Sequence, residues 1–307
     1  MTQASTFTEI RHTIGIAGEL ALRNVSGRVR LAGIDGAEVI VLVRAGRARE
    51  PELNVERSPG RLVVEPRRDG NRLFGLTFDT GGSYEFDVQV PRGARIDIKA
   101  VSADIDGSDL AGDQKYKTVS GDVRLNGASG KLSVMTVSGD VRLHDGGELE
   151  IDAATTSGDL TVEATLLRQL GVRTVSGDVR AQARLQPGAR HSVETVSGDL
   201  NLVVAGGGVT VESSRALDLG RRRSDPIVVG DGSARLMFRS MSGDQRVTLG
   251  GRAGEASAPD IPSPPAPPEP PREPVSAEDR LEILRALERG ELDIDEAARR
   301  LEGQPRA

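Results

Sequence analysis

Carboxylates recur along this chain at a regular interval that could serve cation binding. Asp122, Asp140, Asp159, Asp178 and Asp199 each follow Ser-Gly, and their successive numbers differ by 18, 19, 19 and 21. Stacked carboxylates could coordinate calcium, which takes about six to eight oxygen ligands. Calcium-binding solenoids with nonapeptide repeats have a denser Gly-Asp pattern than this chain. We therefore favour a structural role, in which turn amides, serine hydroxyls and an arginine two residues later satisfy each aspartate.

The same repeat predicts an interaction surface. The side chains of a strand alternate between its two faces, and this alternation places the polar residues of Thr-Val-Ser-Gly-Asp-Val-Arg-Leu on the outer face. The candidate surface comprises Ser120, Asp122, Arg124, Ser138, Asp140, Arg142, Ser176, Asp178 and Arg180. On the same count Thr118 points outward, whereas Val119, Gly121 and Val123 face the core. Val137 and Val196 are placed inward by the same rule.

Catalytic chemistry has little support in the sequence. His12, His144 and His191 lie in different copies of the repeat without a repeated partner, which favours solvated loop or edge positions. The chain lacks the nucleophile-elbow, zinc-protease and phosphate-loop motifs. Arg221, Arg222 and Arg223 could hold an anion, but a solvated loop is the simpler interpretation. We expect no catalytic residue, no cofactor and no metal other than the calcium alternative above.

The repeat also predicts the fold that positions these residues. A period of about 20 residues indicates one structural unit stacked on itself, and the short apolar runs separated by Gly-rich corners indicate strands. We therefore predict an all-β fold, a parallel β-solenoid (β-helix) with about 18–21 residues in each coil. The divergent copy at Ser26, with Arg28 in place of Asp, is expected to form the terminal coil.

Three regions differ in composition. Residues 1–251 carry the repeats, and residues 252–275 form a Pro-rich segment that we predict to be a disordered linker. Residues 276–303 have helical spacing and two capping boxes, which predicts a helical hairpin. About 28 residues bury too little area to be stable alone, so the hairpin should self-associate or bind a partner protein. Its apolar residues include Leu281, Leu284, Leu287, Ile294 and Leu301.

Composition narrows the class of function. The net charge is −6, which does not favour a nucleic-acid partner. Because there is no cysteine, disulfides and thiolate metal sites are excluded. Neither a signal peptide nor an apolar run of membrane-spanning length is visible, so we expect a cytoplasmic protein, with peripheral association with the envelope as an alternative.

Two segments resemble known bacterial families. Residues 84–107 with the repeated TVSGDVRL, and the opening residues 18–41, resemble the "putative adhesin" family of β-strand-repeat proteins over residues 8–250. This resemblance implies a β-solenoid of unknown function without established catalytic residues. Residues 280–303 are similar to a short helical hairpin that accompanies this solenoid in some envelope-stress proteins.

Three functions follow as hypotheses. The first is a non-enzymatic interaction scaffold with a helical tether, in the envelope-stress response or its regulation. The second is an exported adhesin or glycan-binding module. The third is a polysaccharide-active β-helix enzyme, although the low aromatic content of 2% leaves no obvious sugar platform.

Overall fold

A computed structural model describes residues 7–45, 52–67, 72–73, 76–77, 83–215 and 226–250 of the protein. These residues are all-β. The strands of the N-terminal part are β1 (Phe7–Thr13), β2 (Glu19–Ile34), β3 (Glu38–Ala45), β4 (Leu53–Ser58), β5 (Arg61–Pro66), β6 (Arg72–Leu73), β7 (Leu76–Thr77) and β8 (Tyr84–Pro91). No helix of the described residues could cross a membrane, because none is long and apolar enough.

The repeat region forms the rest of the stack. Its strands are β9 (Arg95–Ser108), β10 (Gln114–Lys117), β11 (Val123–Asn126), β12 (Gly130–Met135), β13 (Val141–Ala154), β14 (Leu160–Arg173), β15 (Val179–Leu185), β16 (Arg190–Glu194), β17 (Leu200–Val204), β18 (Gly208–Arg215), β19 (Ile227–Gly230), β20 (Ala234–Ser240) and β21 (Gln245–Leu249). Each coil contributes two strand segments joined by a Ser-Gly-Asp corner.

Parallel pairing follows the sequence repeat, as expected for a solenoid. Val123 pairs with Val141, and the same column continues through Leu160, Val179 and Leu200. At the corner, Ser120, Ser138, Ser157, Ser176, Ser197 and Ser242 form a continuous series of parallel bridges. The predicted period and the parallel stacking are therefore confirmed.

The core lies between the two strand segments of each coil and is filled by aliphatic side chains. One wall carries the column from Val123 to Leu200. The facing ladder stacks Tyr116, Val134, Ala153, Val172, Val193 and Phe238. All these residues are buried, which explains how a chain with few aromatic residues can still fill a long core.

The N-terminal end of the stack differs from the prediction. The Ser26 copy lies inside the stack, since β2 pairs in parallel with β9 on one side and with β5 and β8 on the other. Outside these strands, β3 pairs antiparallel with β8, β1 with β3, and β4 with β5. The terminal layer is therefore built by the antiparallel strands, and the Ser26 copy is an internal coil.

The C-terminal end contains an insertion between the last two copies. β18 pairs antiparallel with β19 and parallel with β20, so this insertion adds strands to only one wall of the solenoid. Arg221, Arg222 and Arg223 lie outside the described residues. So do the Pro-rich segment and the predicted hairpin with Leu281, Leu284, Leu287, Ile294 and Leu301.

Candidate interaction surface

The Ser-Gly-Asp corners form one continuous edge of the solenoid. The strand before the corner ends at Lys117, and the strand after it begins at Val123. Between these two residues the chain turns from one wall to the other. Because of this turn, the alternation of side chains is interrupted at the corner, and it starts again at Val123.

This break reverses two of the predicted orientations. Thr118 is buried with 5% exposure, whereas Val119 is 48% exposed. The same reversal occurs at Thr136 and Val137, and again at Thr195 and Val196. The prediction that these valines face the core and Thr118 faces solvent was wrong, because it treated the corner as part of one straight strand.

The exposed residues that precede each serine form a line along the edge that is apolar except at Thr156, and we call this line the ridge. It comprises Val101, Val119, Val137, Thr156, Val175, Val196 and Met241, and every member is exposed. Adjacent coils lie about 4.8 Å apart, so the ridge is about 29 Å long. The sequence signal for it is a glycine two residues later, which allows the chain to turn and is present in every ridge coil except that of Val101, where Ala103 takes its place.

Each corner glycine is required by the neighbouring coil. A Cβ on Gly139 would lie 2.3 Å from the carbonyl oxygen of Gly121, and one on Gly158 would lie 2.2 Å from that of Gly139. A side chain therefore has no room at these positions. The sequence placed Gly121 towards the core, whereas the group that excludes a Cβ at these corners is the backbone of the preceding coil along the stack.

Next to the ridge, the aspartates form a row joined by hydrogen bonds between coils. The amide of Asp140 donates to Oδ1 of Asp122 at 3.0 Å, and the amide of Asp159 donates to Oδ1 of Asp140 at 3.0 Å. The aspartate row comprises Asp104, Asp122, Asp140, Asp159, Asp178, Asp199 and Asp244, with bonds of 2.8–3.1 Å throughout. Each donor thus belongs to the next coil.

Arginines engage the other carboxylate oxygen along most of the row. Arg124 lies 2.5 Å from Oδ2 of Asp122, and Arg142 lies 2.6 Å from Oδ2 of Asp140. Arg180 contacts Asp178 at 2.8 Å and also Asp159 at 3.1 Å in the preceding coil. These contacts supply the counter-charge that limits repulsion between stacked carboxylates.

Asp159 shows the electrostatic result of this arrangement. The amide of Asp178 and the guanidinium of Arg180 hold the pKa of Asp159 below its ordinary value of 3.8, against the opposing effect of partial burial. In the part of the chain that the structure describes, no group of three or more carboxylates and imidazoles is placed to hold a metal ion. The aspartate oxygens are engaged by amides and guanidinium groups instead.

The arginine pattern is interrupted at the C-terminal end. Asn201 stands two residues after Asp199, and no ion pair reaches Asp199 from the described residues. A groove of about 500 Å³ lies here, lined by Asp178, Arg180, Asp199, Asn201, Asp244 and Arg246 among others. Among the proposed surface residues, Ser120, Ser138 and Ser176 are exposed on the edge beside the aspartate row.

On the other side of the ridge lies a column with the opposite charge, which we call the cationic column. It is formed by the last outward residue of each preceding strand: Lys99, Lys117, Met135, Ala154, Arg173, Glu194 and Arg239. Four of these residues are cationic and one is acidic. The ridge therefore separates a cationic column from an acidic row.

The histidines do not assemble into a site within the described residues. His12 Nε2 lies 2.9 Å from the carbonyl oxygen of Ser58, and His144 Nδ1 lies 3.0 Å from Glu163. His191 is 3% exposed and neither of its ring nitrogens has a hydrogen-bond partner. Burial lowers the pKa of His191 to about 4. The expectation of a solvated position for His191 was wrong, because it occupies a core position opposite Leu236.

Comparison with known proteins adds a family match. A family model described as Toastrack DUF4097 matches residues 19–215. No curated protein matches the chain.

Several solved structures show a distant likeness. A "putative cell adhesion protein" from Clostridium sporogenes is 8% identical with a TM-score of 0.28, over 80% of this chain and 100% of the other. A "putative lipid binding protein" from Parabacteroides distasonis is 13% identical with a TM-score of 0.40, over 80% and 97%. A "putative adhesin" from Bacteroides fragilis is 12% identical with a TM-score of 0.36, over 80% and 98%. Likeness at these values carries no inference about ligand or activity.

Proposed function

The chain belongs to the Toastrack DUF4097 family, a β-solenoid-like domain of unknown function. From its surface we propose that it is a non-enzymatic interaction scaffold. The proposed binding surface is the ridge together with the exposed serines and the aspartate row beside it. The partner is a macromolecule that contacts several coils at once.

The observation that carries this proposal is the repeated exposure of apolar side chains on the ridge. Val101, Val119, Val137 and Val175 are 46–48% exposed, and Met241 is 45% exposed. Single apolar residues on a surface need no explanation, whereas a contiguous apolar patch commonly marks an interaction site. Here a single line contains six of them in seven successive coils.

The charged rows support a scaffold more than an active site. Catalytic carboxylates usually have perturbed environments and are free to exchange protons with substrate. In contrast, Asp122 and Asp140 are each held by an amide of the next coil and by an arginine. These carboxylates are thus held in place by the stack, where they present fixed charge beside the ridge and the exposed serines and are not free to exchange protons.

The C-terminal segment completes the proposal. Residues 276–303 would form the helical hairpin that tethers the scaffold to a protein partner or to further copies of the chain, in an envelope-stress pathway and on the cytoplasmic side. Deletion of residues 276–307 should lower the mass measured by light scattering. An unchanged mass would count against self-association through this segment, and cell fractionation would test the location.

The ridge can be tested directly with a triple variant, Val119→Ser, Val137→Ser and Val175→Ser. These residues are about half exposed, so the melting temperature should stay close to that of the wild type. A matched control replaces three exposed residues away from the ridge, Lys131→Ser, Glu150→Ser and Gln169→Ser. Each protein is immobilised on a column, and a cell extract is passed over it. We expect the wild type and the control to retain the same partner protein from the extract, and the ridge variant to lose it. Equal retention by all three would refute the proposed surface.

A glycan-binding or adhesive role is the second candidate. The exposed serines repeat about every 4.8 Å beside carboxylates, which gives a regular array of hydroxyl groups along the edge. This role predicts retention of the protein on a glycan array and its presence outside the cell. The triple serine variant distinguishes the two roles. It should lose a protein partner that binds the ridge, but it should keep most of its hydroxyl-mediated glycan binding.

A further inference from the structure

We propose that the partner on the ridge is a second copy of this chain, packed ridge to ridge with the two solenoids parallel. This inference rests on the proposed interaction function and names its partner. It follows from the spacing of the ridge and from the unequal charges on its two sides.

The spacing makes the ridge complementary to itself. Every ridge residue is one coil, about 4.8 Å, from the next. A second copy has the same interval because its sequence is identical, so contact at one coil brings all the other coils into contact. A partner with a different repeat would lose this register within a few coils. Two identical surfaces related by a twofold axis form an isologous interface, which is the commonest kind in homodimers.

The charges select one of the two possible orientations. If the twofold axis runs along the stack, the solenoids are parallel and the flanks exchange sides. The cationic column of one copy then faces the aspartate row of the other. If the axis runs across the stack, the solenoids are antiparallel and each flank faces its own equivalent. Lys117 and Arg173 would then approach the same cationic column of the partner, which is unfavourable.

The charged residues that flank the ridge in its seven coils favour the parallel orientation. The cationic column has Lys99, Lys117, Arg173 and Arg239 against Glu194. The nearer column on the opposite flank consists of seven aspartates, and the arginines that engage them lie one column farther from the ridge. Opposite charges therefore meet at the edges of a parallel contact, with the apolar line in its centre.

The size of the ridge indicates a weak contact. A strip about 29 Å long and about 15 Å wide covers roughly 430 Å² per copy, about half of the roughly 800 Å² per partner in a standard stable interface. The contact should therefore form and dissociate rapidly unless a second attachment raises the effective concentration. A position-specific crosslink is a better probe of it than the average mass.

The chain contains no cysteine, so single cysteine variants report single positions. In the parallel arrangement Val119 faces Val119 of the second copy, and Val196 faces Val196. In the antiparallel arrangement Val119 faces Val196 instead, about 19 Å along the ridge. The full-length variants Val119→Cys and Val196→Cys are treated with a short bifunctional maleimide, separately and as a mixture. Lys131→Cys, exposed in β12, is the control for collision.

We expect Val119→Cys and Val196→Cys each to form crosslinked dimers about ten-fold faster than Lys131→Cys, because contact raises the local thiol concentration. Adding Lys117→Glu and Arg173→Glu to Val119→Cys should slow this reaction about three-fold at low ionic strength, and adding Lys117→Arg with Arg173→Lys should not.

Crosslinking rates equal to that of the Lys131→Cys control overturn the proposal. Crosslinking only in the mixture overturns the parallel orientation. If crosslinking fails while the triple serine variant still loses its bound protein, the partner is another molecule and the scaffold function stands.

Discussion

The carboxylate of Asp159 accepts a hydrogen bond of 2.9 Å from the amide of Asp178 in the next coil and binds Arg180 at 3.1 Å. Removing this side chain should destabilise the fold, because the Asp178 amide loses its acceptor. We expect Asp159→Ala to cost about 1–3 kcal/mol of unfolding free energy, measured by urea denaturation. Asp159→Asn should recover part of the loss, since the amide oxygen can still accept. Asp35→Ala, at a side chain that is 95% exposed, serves as the control and should change stability by less than about 0.5 kcal/mol.

The ionisation of Asp159 should follow the same contacts. Because the pKa of Asp159 in the folded state lies below 3.8, its contribution to stability is complete above pH 3.8. That contribution is lost as the pH falls through the lower folded value. Titration of the side-chain carboxyl carbon by NMR should give a midpoint below 3.8. A midpoint at or above that value would contradict the geometry of the row.

His191 should make the fold sensitive to mild acid. Its pKa is lowered from 6.5 to about 4 by burial, so the unfolded chain binds this proton more readily than the folded chain. The contribution of His191 to the free energy of unfolding is therefore fully present above pH 6.5. It is lost as the pH falls towards 4, and the total loss is about 3 kcal/mol. His191→Leu should reduce this decrease, as followed by denaturation between pH 4 and 7. His144→Leu removes an exposed imidazole and should leave the decrease in place; equal profiles for both variants would argue against a buried neutral His191.

The corner glycines should not tolerate a methyl group. Gly139→Ala places a Cβ 2.3 Å from a carbonyl oxygen of the backbone, which cannot move without separating two coils. We expect a loss of about 3 kcal/mol in unfolding free energy. Gly171→Ala is a matched control in the same stack, since its Cβ would have its nearest neighbour at 3.6 Å. It should be neutral or slightly stabilising, and a comparable loss in both variants would refute the close approach at the corner.

Adjacent residues at the corner should respond differently to the exchange of valine and threonine. The hydroxyl of Thr136 is buried and has no partner among the described residues, so Thr136→Val should stabilise the fold by about 1 kcal/mol. Val137 is 48% exposed, and Val137→Thr should change stability by less than about 0.5 kcal/mol. Melting curves of the two variants check the orientation of the corner. A destabilised Val137→Thr would indicate that the valine packs in the core.

The sequence was sufficient to predict the parallel stack, because a regular repeat sets both the register and the neighbours of each coil. It also allowed the pairing of Arg124 with Asp122 to be inferred from their separation of two positions. Counting back from Val123 misplaced Val119, because the chain bends between the two strands. Counting forward from Tyr116, which shares its buried face with Thr118, places Val119 outward as observed. The burial of His191 had a signal in the sequence that was missed, because His191 lies two positions before Val193 and the alternation in β16 places both on the buried face.

The internal position of the Ser26 coil has a similar cause. Ser26 pairs with Ser102, which is far away along the chain, and the intervening strands fold back over the outside of β2. Repeats identify which coils resemble one another, but they do not show where inserted strands pair. Hence the arrangement of the central coils could be predicted from the periodicity, whereas the arrangement of the layers at both ends could not.

The two insertions bear on the order in which the molecule assembles. From Ser102 to Ser197, each coil closes on its neighbour through a single repeat of the chain, whereas joining Ser26 to Ser102 and Ser197 to Ser242 closes much longer loops. Loop closure costs more entropy as the loop lengthens, and arrays with nearest-neighbour contacts can nucleate at any repeat and then propagate. The central coils should therefore form first and gain amide-exchange protection earliest during refolding. The outer layers join afterwards, so growth of the array proceeds from its middle towards both ends.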